Sequence, residues 1–186
     1  MSEDLPATLD RALAAVDPLI AGIDDAQWSA PTPCTEWTVR DILTHLVAVN
    51  SGITAALCDE PPPTRDATPL GDDPVGTYRS SGAALRDAVA LPGVLDRIYE
   101  GPLGTTTGAV RIKWRIADLL THAWDIATAT GQPLRLPDDL VDEVLAFVTV
   151  ALADQARGGR FGPPQPVADD APVIDRLVAF AGRSVS

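Results

Sequence analysis

The sequence predicts an all-α protein built as a helical bundle, on three observations. Apolar residues recur at three- and four-residue steps through five long stretches. Breaks rich in proline and glycine separate those stretches. No strand-rich region, internal repeat or glycine-rich phosphate loop is present.

The first helix is expected from about Leu5 to Ile23, with Leu5, Leu9, Ala12, Leu13, Val16 and Ile20 on one face. Pro18 should kink or weaken its last turn, since the ring removes a donor and crowds a preceding carbonyl. A short turn of helix is expected over Asp24 to Trp28. The connection Ser29-Ala30-Pro31-Thr32-Pro33-Cys34 cannot be helical throughout, because a residue before proline avoids the helical region. Thr38 then opens a second helix as its N-cap, with Asp41 in the first turn, where the helix dipole favours a negative charge. At 100° per residue, Val39, Ile42, Leu46, Val49, Ile53 and Leu57 fall within a stripe about 80° wide, and His45 lies on its border.

Asp59 to Asp73 reads as loop, with Pro61-Pro62-Pro63 and Gly71 excluding regular structure. Asp73-Pro74 has the form of an N-cap followed by proline at the first helical position, opening a third helix to about Leu91. Pro92-Gly93 ends it, and Val94 to Thr107 is expected to be irregular or a short extended excursion, punctuated by Gly101-Pro102 and Gly104. The fourth helix, about Ala109 to Thr130, ends at Gly131, a residue suited to a left-handed cap. Its apolar stripe holds Ile112, Ile116, Leu119, Ala123 and Ile126, with Arg111, Arg115, Asp118 and His122 on one shoulder. A fifth helix is expected from Pro137 to about Ala156, stopped by Gly158-Gly159. An extended stretch from Phe161 to Val167 and a short helix from Ala171 to Ala181 complete the chain.

At 186 residues the chain is long enough for one domain, residues 1–186, with a single core. Its net charge of -12 argues against nucleic acid, which demands a basic surface, and against an anionic membrane surface. No apolar run approaches the ~20 residues needed to span a bilayer. Met1-Ser2-Glu3-Asp4 lacks the basic start of a secretory signal, so a cytoplasmic location is expected. Cys34 and Cys58, the only two cysteines, do not make a disulfide framework.

The chemistry centres on the only two histidines, His45 and His122. If their helices pack side by side, His45, Asp118 and His122 form a metal site of two histidines and one carboxylate, with coordination positions left open. The plainer alternatives are a core-edge histidine bonded to a backbone carbonyl for His45, and an i,i+4 surface pair for Asp118 and His122. Such a donor set suits zinc, nickel or ferrous iron, and three protein ligands leave room for water or substrate. Asp41 and Asp125 are candidates to orient the imidazoles, or serve only the helix start and the surface. Arg111 and Arg115 could hold a substrate carboxylate or simply neutralise nearby acids. Cys34 reads as a buried thiol rather than a nucleophile or fourth ligand. Trp28, Trp37, Trp114 and Trp124 read as core and rim.

Two segments carry a family resemblance. Trp28, then Pro31-Thr32-Pro33-Cys34-Thr35-Glu36-Trp37-Thr38-Val39-Arg40-Asp41 and His45-Leu46-Val47, resembles the opening signature of the mycothiol-dependent maleylpyruvate isomerase N-terminal domain. Asp118-Leu119-Leu120-Thr121-His122-Ala123-Trp124-Asp125-Ile126-Ala127 followed by Gly131 is similar to its second metal-binding helix. The tail, with Phe161-Gly162-Pro163 and Asp170-Ala171-Pro172, is similar to a subfamily of short actinobacterial metal-binding proteins.

The resemblance implies a DinB-like four-helix bundle with short accessory helices and an extended C-terminal tail. It also implies a homodimer and a divalent metal, zinc in the isomerase, on His45, Asp118 and His122. The implied activity is that of an isomerase or S-transferase, with mycothiol as thiol cosubstrate and an electrophilic small molecule as its partner. Alternatives from other classes are a non-catalytic metal-binding or dimerisation module and a metal-dependent hydrolase. Two departures from the pattern stand out. Asp118 replaces a glutamate, and the isomerase's second, sterol-carrier-like domain has no counterpart in these residues, so maleylpyruvate itself is not the expected substrate.

Overall fold

The computed structural model describes residues 4–63, 70–101, 104–152, 157 and 161–185. Among the described residues six helices carry the fold: α1 (Leu5–Ala21), α2 (Val39–Leu57), α3 (Pro74–Val89), α4 (Gly108–Thr130), α5 (Asp138–Ala151) and α6 (Val173–Phe180). A 3₁₀ turn at Asp25–Gln27 and a two-stranded ribbon, β1 (Ile98–Tyr99) and β2 (Thr106–Thr107), complete it.

The helix starts follow from their caps. Asp4 accepts from the Ala7 amide, Thr38 from Asp41, Asp73 from Gly76 and Thr107 from Val110, each supplying an acceptor that the first turn lacks. At α2 the Asp41 carboxylate also accepts from the Thr38 amide and hydroxyl, closing a reciprocal capping box. Pro18 stays inside α1, which runs on to Ala21 before Gly22 ends it. Gly131 ends α4 with φ 69°, where a Cβ would be strained. The excursion between α3 and α4 is a short antiparallel ribbon, pairing Ile98 with Thr107 and Tyr99 with Thr106. Helix α5 is described to Ala151, with Leu152 as its C-cap. Residues 153–156, the Gly158-Gly159 stop, Pro102 and the middle of the loop before α3 (64–69) lie outside the described residues.

Helices α1 and α2 each pack against both α3 and α4, which makes an all-α four-helix bundle. Helices α5 and α6 pack on each other and on α4. One apolar cluster runs through the molecule, with Leu9, Ile20, Ile42, Leu46, Leu85, Ile112, Ile116, Leu119, Leu140 and Val144 fully buried. Among the described residues no helix is long and apolar enough to cross a membrane. Helix α4, at 23 residues, touches α1, α2, α5 and α6 and is the spine on which the polar site is built.

Candidate metal centre

The site forms where α2 meets α4, and Arg115 fixes the register between them. Its side chain is 1% exposed. Its Nε donates to Asn50 Oδ1 at 2.8 Å and its Nη2 to the Leu46 carbonyl at 2.9 Å, both on α2. Its Nη1 donates to Asp118 Oδ2, one turn along α4. Asn50 passes the network on to α3 through Ser81 Oγ at 3.0 Å. Because Leu46 follows His45 directly, this guanidinium sets where His45 stands relative to Asp118.

The other carboxylate oxygen faces both histidines. His45 Nε2 lies 3.0 Å from Asp118 Oδ1, and His122 Nε2 lies 3.4 Å from the same oxygen. The three donor atoms fall within 4.8 Å of one another. On the far side of its ring, His122 Nδ1 lies 2.9 Å from Asp125 Oδ2. Asp125 is fully buried and is held by Arg183, whose Nε donates to Oδ1 at 3.1 Å and Nη2 to Oδ2 at 2.8 Å.

These contacts set the charges. Burial alone would raise the Asp118 pKa, but hydrogen bonds with His122 and His45 and the charge of Arg115 hold it well below the usual carboxylate range. Burial works against protonation of His122, yet Asp118 and Asp125 outweigh it and push its pKa up to about 9. Burial opposes the ionised Asp125 as well, and its bonds with His122 and Arg183 still lower its pKa.

The loop before α2 walls one side. Its turn is pinned by Thr32, whose amide and hydroxyl both donate to the Trp37 carbonyl at 3.1 and 2.8 Å, and closed by Glu36 at φ 72°. Trp37 is thereby laid against both imidazoles, with centroids 4.9 Å from His45 and 5.6 Å from His122. Cys34 offers its sulfur within 4.8 Å of donor atoms on His122 and Asp125, and burial raises its pKa.

The donors fit a divalent ion. Tetrahedral ligands at ~2.0–2.1 Å from zinc stand about 3.3 Å apart, close to the two separations found around Asp118 Oδ1. The Nδ1–Asp125 contact leaves His122 Nε2 facing the cluster, the arrangement in which a carboxylate orients a metal-binding histidine. Arg115 likewise holds one Asp118 oxygen and leaves the other to the cluster. The side chains of His45 and Asp118 are 29% and 26% exposed, whereas that of His122 is 8% exposed. The centre therefore opens to solvent on the His45 side.

The remaining sequence candidates fall elsewhere. Asp41 is engaged by Thr38 at the start of α2 rather than by His45. Arg115 cannot reach a substrate, because its donors all point into the bundle. Arg111 is 7% exposed and lies against the Tyr99 ring at 5.4 Å, with Nε and Nη2 buried and without a hydrogen-bond partner among the described residues. No contact among the described residues joins it to the cluster. The periodicity of the chain carried no sign of Arg183, Trp37 or Asn50 as neighbours of the site: Arg183 and Trp37 arrive from segments outside α2 and α4, and Asn50, on α2, is tied to the site through Arg115 of α4.

Residues 9–100 match the family model of the mycothiol maleylpyruvate isomerase N-terminal domain. Two uncharacterized proteins of Mycobacterium tuberculosis, from strains CDC 1551 and H37Rv, are each 37% identical over 179 residues, covering 94% of this chain and 95% of the relative. The fold is similar to the crystal structure of the mycothiol-dependent maleylpyruvate isomerase, with a TM-score of 0.59 at 16% identity over 79% of this chain and 69% of that one. A histidine-to-alanine mutant of that enzyme gives a TM-score of 0.58 at 18% identity over the same shares.

Proposed function

The chain belongs to the mycothiol maleylpyruvate isomerase N-terminal domain family, and we propose that it is a metalloenzyme that brings a small-molecule thiol to an electrophile. In this reading His45 Nε2, Asp118 Oδ1 and His122 Nε2 hold one divalent ion, zinc in preference to nickel or iron. The observation that carries it is the convergence of both imidazoles on one carboxylate oxygen, while Arg115 engages the second Asp118 oxygen and Asp125 engages His122 Nδ1. When bound, such an ion supplies Lewis acidity that lets a thiol lose its proton near neutral pH.

The protein's own residues do the rest. Asp125 holds the back of His122, Arg115 holds the back of Asp118, and Trp37 packs across both rings to keep water from that face. The thiol, mycothiol by family, enters from the open His45 side. Isomerisation and S-transfer both begin with this step, and the electrophile decides between them. A single domain over residues 1–186, from chain length, a cytoplasmic location, from the acidic N-terminal sequence, and a homodimer, from the family resemblance, complete the reading.

Elemental analysis of tag-free protein tests the site. About one equivalent of divalent metal is expected in the wild type, and little in folded His45→Ala and His122→Ala. Metal retained in both variants removes the basis of the proposal. Added zinc should raise the wild-type melting temperature, since ligand at about 100 times its Kd contributes ~2.7 kcal/mol. Mycothiol conjugation to model electrophiles that stops on chelation supports an enzyme. Metal binding without any conjugation favours a passive module.

A further inference from the structure

We propose that Arg183 is a positioning residue for the metal centre: from the C-terminal segment it fixes the Asp125 carboxylate, which in turn aims His122 at the ion. This rests on the metal site proposed above and extends it to a part of the chain that touches no ligand.

The geometry is a relay of three groups. Arg183 meets Asp125 with two parallel bonds, 3.1 Å to Oδ1 and 2.8 Å to Oδ2, and a two-point fork sets the plane of a carboxylate as well as its place. That plane leaves Asp125 Oδ2 at 2.9 Å from His122 Nδ1. Asp125 is 0% exposed and the Arg183 side chain 11%, so solvent cannot substitute for the guanidinium. Without it, the buried carboxylate keeps, among the described residues, only its bond to the imidazole it has to orient.

The segment after α6 is shaped to deliver this side chain. Gly182 has φ 98°, and a Cβ there would sit 2.6 Å from Gly162 Cα, so only glycine allows the close approach of the two backbones. The Arg183 amide then donates to the Val178 carbonyl at 2.9 Å. A second tie holds α6 at the same level of α4: Trp124 Nε1 donates to Asp175 Oδ1 at 3.2 Å, one residue before Asp125. Helix α6 is only eight residues long, yet it packs on both α4 and α5.

The experiment compares tag-free, full-chain wild type, Arg183→Lys, Arg183→Gln, Asp125→Asn and the Arg183→Gln/Asp125→Asn double variant. Cobalt(II) affinity is measured by chelator competition, with circular dichroism to confirm folding. NMR follows the proton between His122 Nδ1 and Asp125. Arg183→Gln should weaken cobalt binding roughly tenfold and speed exchange of that proton. Arg183→Lys, which keeps the charge but loses the fork, should fall between it and the wild type. In the Asp125→Asn background, Arg183→Gln should add less than about twofold, because the relay is already cut. Wild-type affinity and an unchanged proton in folded Arg183→Gln overturn the relay and leave the metal site standing, as does a fully additive double variant. If Arg183→Gln does not fold, the same outcome in Arg183→Lys is decisive. A wild type that binds no cobalt overturns the metal site and the relay together.

Discussion

Along α4, Ile112, Ile116, Leu119, Ala123 and Ile126 form one row, and Arg111, Arg115, Asp118, His122 and Asp125 form another. Each polar residue immediately precedes an apolar one, so the rows run side by side about 100° apart. The apolar row is buried throughout, and its contribution grows with the area removed from water, whatever the detailed geometry. In the polar row Arg111, Arg115, His122 and Asp125 are buried almost as deeply and the Asp118 side chain is 26% exposed, but the row follows another rule. A buried charge is costly unless it is paired, so Arg115, Asp118 and Asp125 each depend on a partner at a definite distance. One row supplies stability and tolerates small changes of shape. The other specifies how α2, α4 and the C-terminal segment meet, and fails when one partner is lost.

The largest expected effect lies in the polar row. Arg115→Ala strips the buried partner from Asp118 and Asn50 and should lower unfolding stability by ~3–5 kcal/mol in urea titration. A loss under about 1 kcal/mol would show that the row is not held as described.

Tyr78 sharpens the contrast, because its buried hydroxyl has no hydrogen-bond partner among the described residues. Burial, the main cause, pushes its pKa from 10.0 up to about 12. The unfolded chain therefore ionises first, and the stabilising contribution present below pH 10 is lost as pH rises towards 12. Between those limits the wild type should lose about 2–3 kcal/mol through this group, at 1.36 kcal/mol per pKa unit. Tyr78→Phe should lack that slope and should change stability at pH 7 by less than about 1 kcal/mol. Parallel alkaline melting curves for the two proteins would contradict the assignment.

The smallest effect belongs to the apolar row. Ile116→Val removes one fully buried methylene and should cost ~0.5–1.5 kcal/mol by the same titration, with metal content unchanged. A larger cost than that of Arg115→Ala would invert the comparison.

Much of this was readable before any fold was known. Thr38 and Asp73 marked helix starts because a side-chain acceptor serves amides three residues on, and Gly131 marked an end because it tolerates a positive φ. His45 on the border of one stripe and Asp118 with His122 on the shoulder of another pointed to the place where α2 and α4 meet. Asp41 shows the limit of such reasoning. Its spacing suits both a capping box and a histidine partner, and only the packed structure chooses the cap.

By itself, then, the sequence determined the helices, their caps, the two rows of α4 and the candidate donors, because each depends on neighbours three or four residues apart. Only the tertiary structure decided what surrounds the donors. Trp37 reaches both imidazoles from a proline-bent loop, Arg115 crosses 65 residues to Asn50, and Arg183 crosses 58 to Asp125. No local period encodes contacts at those separations. The two arginine contacts are stable because a buried charge is costly unless paired, and only the packed chain brings those partners within reach.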